Sequence, residues 1–165
     1  MTREATVARV HLYLDLFDAL SITVWIGGGW GVDALLDERT RPHADNDIVV
    51  SETEAQILRK ALLEAGFGDI PRDDTRAWNF VMGEPGGSEI DFHVIVLDDT
   101  GDGIYGPAQN VDVIPREARA SIGYIGGREV RCRSAEYQIR SHFGYQLKAK
   151  DIADVAALRY RFGIP

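Results

Sequence analysis

The segment from Trp25 to Ile48 constrains the fold more than any other part of the chain. It reads WIGGGWGVDALLDERTRPHADNDI, in which an apolar run breaks into three glycines, a short helical run follows, and an Asp-x-Asp pair precedes the next apolar run. An apolar, β-branched run that ends in glycines is typical of a strand entering a tight turn. The order of strand, glycine turn, helix and strand predicts an α/β arrangement.

The Asp-x-Asp pair consists of Asp45 and Asp47. Side chains alternate between the two faces of a strand, so both carboxylates project to one side with their Cα atoms roughly 6.5–7 Å apart. Two carboxylates aimed at one point repel each other unless a cation lies between them, and Mg²⁺, a hard ion that prefers oxygen ligands, is the simplest occupant. The glycine turn offers backbone N–H groups to an anion, so metal and turn together indicate phosphate binding.

A strand predicted over Glu89–Leu97 supplies a third carboxylate, Asp91. This strand carries apolar residues on both faces near its end and is therefore expected to be buried, and a buried aspartate needs a partner. A cation shared with Asp45 and Asp47 would be that partner; the alternative is an ion pair with an arginine such as Arg76. Three such carboxylates indicate nucleotidyl transfer, with Asp91 either as a metal ligand or as the base for the attacking hydroxyl.

Arg41 and His43 stand just before the aspartate pair, where they could contact phosphate oxygens. The alternatives are an ordinary surface arginine and a loop histidine that makes a backbone hydrogen bond. Other phosphate-binding motifs do not match, because the glycine turn lacks the last glycine of G-x-G-x-x-G and no G-K-[ST] follows it. Cys132 has no second cysteine beside it, which argues against a structural zinc site.

Composition narrows the class of protein. The chain has 165 residues, 45% of them hydrophobic, which suits one full core. A single cysteine excludes an internal disulfide and favours the cytoplasm, and no apolar run approaches membrane-spanning length. The net charge of −8 and the scattered arginines argue against a nucleic-acid groove. A negative field suits a small cationic substrate, although it serves solubility equally well.

Helices and hairpins are expected around this centre. The Asp- and Gly-rich stretch 98–106 predicts a loop. The other predicted elements are a helix over 4–20, a helix from the Ser51–Glu54 capping box to near Gly66, hairpins pairing 76–82 with 89–97 and 121–125 with 128–133, and two helices after 135 that separate near 148–151. We expect one compact α/β (α+β) unit, with a catalytic core over 1–97 and a substrate-side C-terminal hairpin and helical region over 98–165.

The segments IGGGWGVDALL, TRPHADNDI and EIDFHVI resemble small antibiotic nucleotidyltransferases of the DNA polymerase β-like superfamily. The C-terminal half is more similar to the lincosamide nucleotidyltransferases, through Val130–Ser134, His142–Gln146, Asp151 and Asp154, than to the aminoglycoside 2″-nucleotidyltransferases. The resemblance implies the nucleotidyltransferase fold, a mixed twisted sheet flanked by helices with a small helical C-terminal part.

The resemblance also implies an activity. An NTP, with ATP the expected donor, would give a nucleoside monophosphate to a hydroxyl of a small antibiotic, a lincosamide ahead of an aminoglycoside, with one or two Mg²⁺ ions and release of pyrophosphate. The implied residues are the metal ligands and catalytic carboxylates Asp45, Asp47 and Asp91, the nucleotide-binding Gly28, Gly29, Arg41, His43 and Arg76, and the substrate-side His93, Tyr145 and Asp151.

Alternatives stay open at this level. Tyr145 equally suits a core position and Asp151 a helix N-cap. The acceptor could instead be a protein or an RNA end, or the chain could be an idle nucleotide-binding module, which would be expected to have lost a carboxylate. A homodimer that completes the pocket is also conceivable.

Two positions depart from the family pattern. Asn46 stands between the two aspartates where an aliphatic residue is usual, and it points into the sheet core, so its amide needs hydrogen-bond partners or costs stability. Asp37 replaces the glycine that is common at the end of the short helix. Neither change removes a catalytic group.

Overall fold

The structure is a computed structural model that describes residues 5–106, 112–142 and 145–165. These ranges contain five α-helices and nine strands. The helices are α1 (Val7–Ala19), α2 (Gly28–Leu36), α3 (Glu52–Glu64), α4 (Ala135–Arg140) and α5 (Ala149–Phe162). The strands are β1 (Val24–Gly27), β2 (Asp45–Ser51), β3 (Gly68–Ile70), β4 (Asn79–Gly83), β5 (Glu89–Leu97), β6 (Gly103–Tyr105), β7 (Asp112–Ile114), β8 (Ser121–Ile125) and β9 (Arg128–Cys132).

One mixed sheet contains these strands. Its main order is β3-β4-β5-β2-β1-β9-β8, and β6 extends it from β5 and pairs with β7. β2 pairs in parallel with β5, and β1 in parallel with β9, whereas the other pairs are antiparallel. The β2–β5 register sets Asp47 directly opposite Asp91. Two separated segments of the chain therefore deliver carboxylates to one point.

The two faces of the sheet bury different residues. On one face, Ile48, Val50 and Phe92 pack with α3 residues such as Leu58 and Leu62, and all of these side chains are buried. Because neighbouring residues of a strand point to opposite faces, the aspartates of β2 and β5 lie on the other face. That second face holds a smaller apolar cluster built from Trp25, Val49, Ile95, Ile114 and Ala118. The alternation of side chains along β2 and β5 thus decides which face of the sheet carries the aspartates.

Most predicted elements are confirmed, with boundaries moved by a few residues. Ser51 is the N-cap of α3, as expected, and its Oγ accepts from the Glu54 N–H at 3.4 Å. The Glu54 carboxylate accepts from the Ser51 hydroxyl at 3.1 Å and from the Thr23 N–H at 3.2 Å, which differs from the second bond of the predicted capping box. Both helices predicted after residue 135 are found. No helix within the described ranges combines the length and the apolar composition that crossing a bilayer requires.

The prediction of a loop over 98–106 is wrong at Gly103–Tyr105, which forms β6. The edge of β5 offers unpaired backbone groups there, and β6 satisfies them from Ile95 to Leu97. Gly103 permits the close approach, because a Cβ at this position would lie 2.6 Å from Ile95 Cδ1. The three-residue strands β3 and β7 were also not expected from the sequence, since short strands carry little periodic signal.

Asn46 is buried, as its place in the strand predicts, and its amide donates to the backbone carbonyl of Glu89 at 3.2 Å. We expect Asn46→Leu to change the free energy of unfolding by no more than about 1 kcal/mol, because the lost hydrogen bond and the gained apolar burial offset each other. Nucleotidyl transfer should be unchanged. Urea unfolding and initial rates check both expectations. A loss of rate above tenfold at unchanged stability would assign Asn46 to the chemistry.

Candidate active site

A cavity of about 670 Å³ opens on the second face of the sheet. This volume lies in the range of small-molecule sites. Both halves of the chain line the cavity: the first supplies Gly28, Gly29, Arg41, His43, Asp45, Asp47 and His93, and the second supplies Tyr105, Arg133, Tyr137, Gln138, His142, Tyr145, Lys150, Asp151 and Asp154 among others.

Asp47, Asp91 and His93 form the group best placed to hold a metal ion. Nε2 of His93 lies 3.0 Å from Asp47 Oδ1 and 3.8 Å from Asp91 Oδ1. One ligand atom from each residue lies within 4.8 Å of the other two, which is compatible with a shared divalent ion. Asp45 lies two residues before Asp47 on the same strand, opposite Glu89, and stands beside this group rather than within it.

The electrostatics of these carboxylates fit a cation. Burial, followed by the charges of Asp47 and Asp45, raises the pKa of Asp91 to about 8. Burial, followed by the charge of Asp47, raises the pKa of Asp45 to about 6. Burial is the largest influence on Asp47 and acts to raise its pKa, but the hydrogen bond and charge of His93, together with the charges of Arg133 and Lys150, lower that pKa overall. Asp91 Oδ1 is buried without a hydrogen-bond partner in the described part of the chain, and such an oxygen fits the role of a metal ligand.

Tyr105 orients His93. Its hydroxyl donates to Asn79 Oδ1 at 3.0 Å, so it accepts from Nδ1 of His93 at 3.2 Å. With one ring proton on Nδ1, the contact between Nε2 and the Asp47 carboxylate requires either a second ring proton or a cation that both residues share. A histidine whose far nitrogen is held by a hydrogen bond is the usual arrangement at metal sites.

Gly28 lets the Asp47 carboxylate lie against the start of α2. Its φ of +57° is in the left-handed region, and a Cβ here would overlap Asp47 Oδ2. Gly29 is equally confined, because a Cβ there would overlap Nδ1 of His43. The glycine turn therefore serves close packing against the site as well as exposing backbone N–H groups.

We expect Gly28→Ala to lower nucleotidyl transfer by about 100-fold or more. The added methyl group displaces the Asp47 carboxylate, and misplacement of a catalytic group by about 1 Å has this order of effect. The matched control is Gly127→Ala, whose φ of +79° is also left-handed but whose surroundings are open. Steady-state rates of the two variants test the expectation, and a Gly28→Ala rate within threefold of wild type would contradict it.

Arg41 and His43 belong to a chain of hydrogen bonds that ends at the buried Asp33. Nη1 of Arg41 donates to His43 Nδ1 at 2.9 Å, and Nη2 donates to Asp154 Oδ2 at 2.9 Å. Since arginine only donates, the His43 proton sits on Nε2 and points to Asp33 Oδ2, 2.6 Å away. Both ring nitrogens of His43 thus have protein partners, and the network holds Arg41 at the cavity wall.

The structure does not bring Arg76 to this cavity. Arg76 is exposed, donates to the backbone carbonyls of Asp73 and Thr75, and lines a separate cavity with Arg59 and Phe80. The Arg76–Asp91 ion pair considered from the sequence is not formed. The loop before β4 turns the arginine away from β5, which the sequence pattern does not reveal.

Tyr145 and Asp151 both line the cavity. Tyr145 is 51% exposed, so it is a rim residue and not a core tyrosine, and its hydroxyl bonds Nδ1 of His142. Asp151 is buried in the first turn of α5, where its carboxylate accepts from the Lys148 N–H at 2.9 Å. The N-cap position, which was the alternative considered for Asp151, belongs to Lys148.

Two cations of the cavity wall, Arg133 and Lys150, were missed from the sequence. Burial acts to raise the pKa values of Asp45 and Asp47, and the charge of Lys150 acts to lower both pKa values. Arg133 immediately precedes Ser134, the N-cap of α4, and Lys150 lies in the first turn of α5. Their sequence signals were that Arg133 lies within the Val130–Ser134 segment of the family resemblance and that Lys150 directly precedes Asp151.

Comparisons with known proteins identify the family of the chain. Residues 9–158 match the family described as aminoglycoside-2″-adenylyltransferase. A lincosamide resistance protein from Staphylococcus haemolyticus is 29% identical over 154 residues, which cover 93% of this chain and 94% of that protein. A 2″-aminoglycoside nucleotidyltransferase from Klebsiella pneumoniae is 29% identical over 141 residues, covering 84% of this chain and 73% of that protein.

Comparisons with solved structures agree with these sequence matches. The lincosamide antibiotic adenylyltransferase LnuA, with lincomycin bound, superposes with a TM-score of 0.83 at 27% identity, covering 99% of this chain and 100% of that one. ANT(2″)-Ia in complex with adenylyl-2″-tobramycin superposes with a TM-score of 0.76 at 25% identity, covering 95% of this chain and 89% of that one. The nucleotidyltransferase fold expected from the motifs is confirmed. The chain belongs to the aminoglycoside-2″-adenylyltransferase family and is a nucleotidyltransferase.

Proposed function

We propose that this protein transfers a nucleoside monophosphate from an NTP, with ATP as donor, to a hydroxyl of a lincosamide and releases pyrophosphate. The observation that carries the proposal is the group of Asp47, Asp91 and His93, of which Asp47 and His93 line a cavity that the C-terminal half also lines. The similarity to the lincosamide resistance protein extends over 94% of its length, against 73% for the aminoglycoside enzyme, which favours a lincosamide acceptor.

Mg²⁺ is the proposed metal. Asp47 and Asp91 would supply its oxygen ligands, with His93 Nε2 holding the Asp47 carboxylate in place, and Asp45 beside them would serve a second ion. When bound, Mg²⁺ supplies positive charge that stabilises the phosphoryl group under attack and the leaving pyrophosphate. The carboxylate of Asp91 is also the group proposed to take the proton of the acceptor hydroxyl.

The nucleotide is proposed to lie along the start of α2. The first turn of a helix leaves N–H groups without intrahelical partners, and Gly28 and Gly29 allow phosphate oxygens to approach them. Arg41 would add a fixed positive charge at the cavity wall, because His43 and Asp154 hold its guanidinium in place.

Residues 98–165 are proposed as the acceptor side, with residues 1–97 as the catalytic core. The C-terminal half contributes the aromatic rings of Tyr137 and Tyr145 and the carboxylate of Asp151 to the cavity wall. Aromatic faces and an acidic group suit a small cationic acceptor. We propose the cytoplasm as the location of this activity, because it supplies the NTP. The homodimer stays a prediction, for which sedimentation analysis is the direct measurement.

The test offers each of the four common NTPs with Mg²⁺ to lincomycin, clindamycin and a panel of aminoglycosides, and detects adducts by mass spectrometry. We expect an adenylyl adduct on the lincosamides, and none when Asp45→Asn replaces the wild type. Nucleotide binding without an adduct on any antibiotic would reject the proposal and favour a protein or RNA acceptor. An adduct on aminoglycosides alone would reject the lincosamide assignment.

A further inference from the structure

Arg133 is a buried cation without a direct partner for its charge. It follows β9 directly, its backbone N–H donates to the carbonyl of Ile26 at 3.0 Å, and only 9% of its surface is exposed. Its Nε atom is buried and makes no hydrogen bond within the described ranges. No salt bridge joins the guanidinium to a carboxylate in those ranges either. Burying an arginine is costly unless something binds its charge.

Two neighbours fix the guanidinium without neutralising it. Its Cζ lies over the ring of Tyr137, 5.7 Å from the centroid, in a cation–π contact. The side chain also packs across Gly27, where a Cβ would lie 2.9 Å from Nε of Arg133. Gly27 joins β1 to α2, so the guanidinium is held beside the glycine turn and lines the cavity.

The position of Arg133 relative to the carboxylates defines what it can bind. Burial is the largest influence on the pKa of both Asp47 and Asp91, and the positive charge of Arg133 acts in the opposite direction and lowers both. The guanidinium is therefore near these groups, yet it forms no ion pair with them. Its donor fork stays available to an anion that enters the cavity, and a planar fork matches the oxygens of a phosphate.

We infer that Arg133 is a phosphate-binding residue, which contacts the polyphosphate of the NTP and retains the pyrophosphate product. The inference rests on the proposed function for the identity of the anion. A triphosphate that runs from the turn at Gly28 to the group of Asp47 and Asp91 passes the guanidinium of Arg133. This arginine would give the site an affinity for polyphosphate that does not depend on metal.

The experiment measures binding by calorimetry in EDTA and again in Mg²⁺, with ATP, inorganic pyrophosphate and adenosine as separate ligands. We expect Arg133→Met to weaken the binding of ATP and of pyrophosphate at least tenfold in EDTA and to leave the binding of adenosine unchanged. Arg133→Lys should recover part of the loss, because it restores the charge without the planar fork. The matched control is Arg131→Met on β9, two residues earlier, which makes the same charge change at an exposed position outside the cavity.

Pyrophosphate binding by Arg133→Met within threefold of wild type would overturn the inference. An equal loss for adenosine would also overturn it, since the variant would then have damaged the whole pocket. Thermal melts identify any variant that fails to fold. If Arg133→Met fails to fold, the binding measurements on Arg133→Lys take its place. If pyrophosphate binding depends on Arg133 while no antibiotic forms an adduct, the proposed function fails and the inference stands.

Discussion

Asp47→Asn is expected to lower nucleotidyl transfer by about 10³-fold or more, the largest effect that we predict. The carboxylate lies opposite Asp91 and beside Nε2 of His93, so it belongs to the group with metal-binding spacing. Asparagine keeps the size of the side chain and one oxygen for His93, but it removes the negative charge that a divalent ion needs. Rates of pyrophosphate release measure the loss, and titration with Mn²⁺ measures metal affinity.

The control for Asp47→Asn is Asp69→Asn. Asp69 lies on β3 in an exposed ion pair with Arg59 and does not line the active-site cavity, so it makes the same change of charge outside the site. We expect its rate to stay within twofold of wild type, since surface pairs contribute little. An Asp47→Asn enzyme that works within tenfold of wild type would refute the assignment of Asp47 to the metal.

Asp91→Asn is expected to reduce the rate by a similar factor and also to stabilise the metal-free protein at alkaline pH. The pKa of Asp91 is raised from 3.8 to about 8 by burial and by the neighbouring aspartates. Between these pH values the folded protein retains a proton that the unfolded chain has released. The contribution of Asp91 to stability is therefore complete below about pH 4, declines as the pH rises, and is lost by about pH 8.

The measurement is the melting temperature in EDTA from pH 5 to pH 8. The wild type should lose roughly 3–6 °C over this range, which corresponds to about 1–2 kcal/mol after allowance for a partly exposed side chain. Asp91→Asn should show a smaller slope, because the amide does not titrate. Excess Mg²⁺ should also reduce the slope, since the ion replaces the proton. Equal slopes for wild type and Asp91→Asn would contradict the shifted pKa.

The local features of the site could be predicted from the sequence. Strand periodicity alone places Asp45 and Asp47 on one face and Asn46 on the other, and the structure confirms the burial of Asn46. The same periodicity puts His93 beside Asp91. Each of these expectations depends on neighbours within one strand, where the geometry is set by the backbone itself.

Features that depend on tertiary structure could not be predicted. The parallel register that sets Asp47 opposite Asp91 joins segments more than 40 residues apart, and no local signal specifies it. Arg133 enters the cavity because β9 pairs in parallel with β1, a contact between the N-terminal and C-terminal halves of the chain. Arg76 was expected near the nucleotide on the basis of family resemblance alone, and the loop before β4 directs it elsewhere.

The most direct test of the central claim is one reaction that contains the protein, lincomycin, ATP and Mg²⁺. Adenylylated lincomycin is quantified by mass spectrometry, and pyrophosphate is quantified in the same tube. We predict equal amounts of the two products, with both absent in EDTA and in Asp47→Asn. Formation of the adduct at an unchanged rate in EDTA, or an adduct without pyrophosphate, would contradict the account.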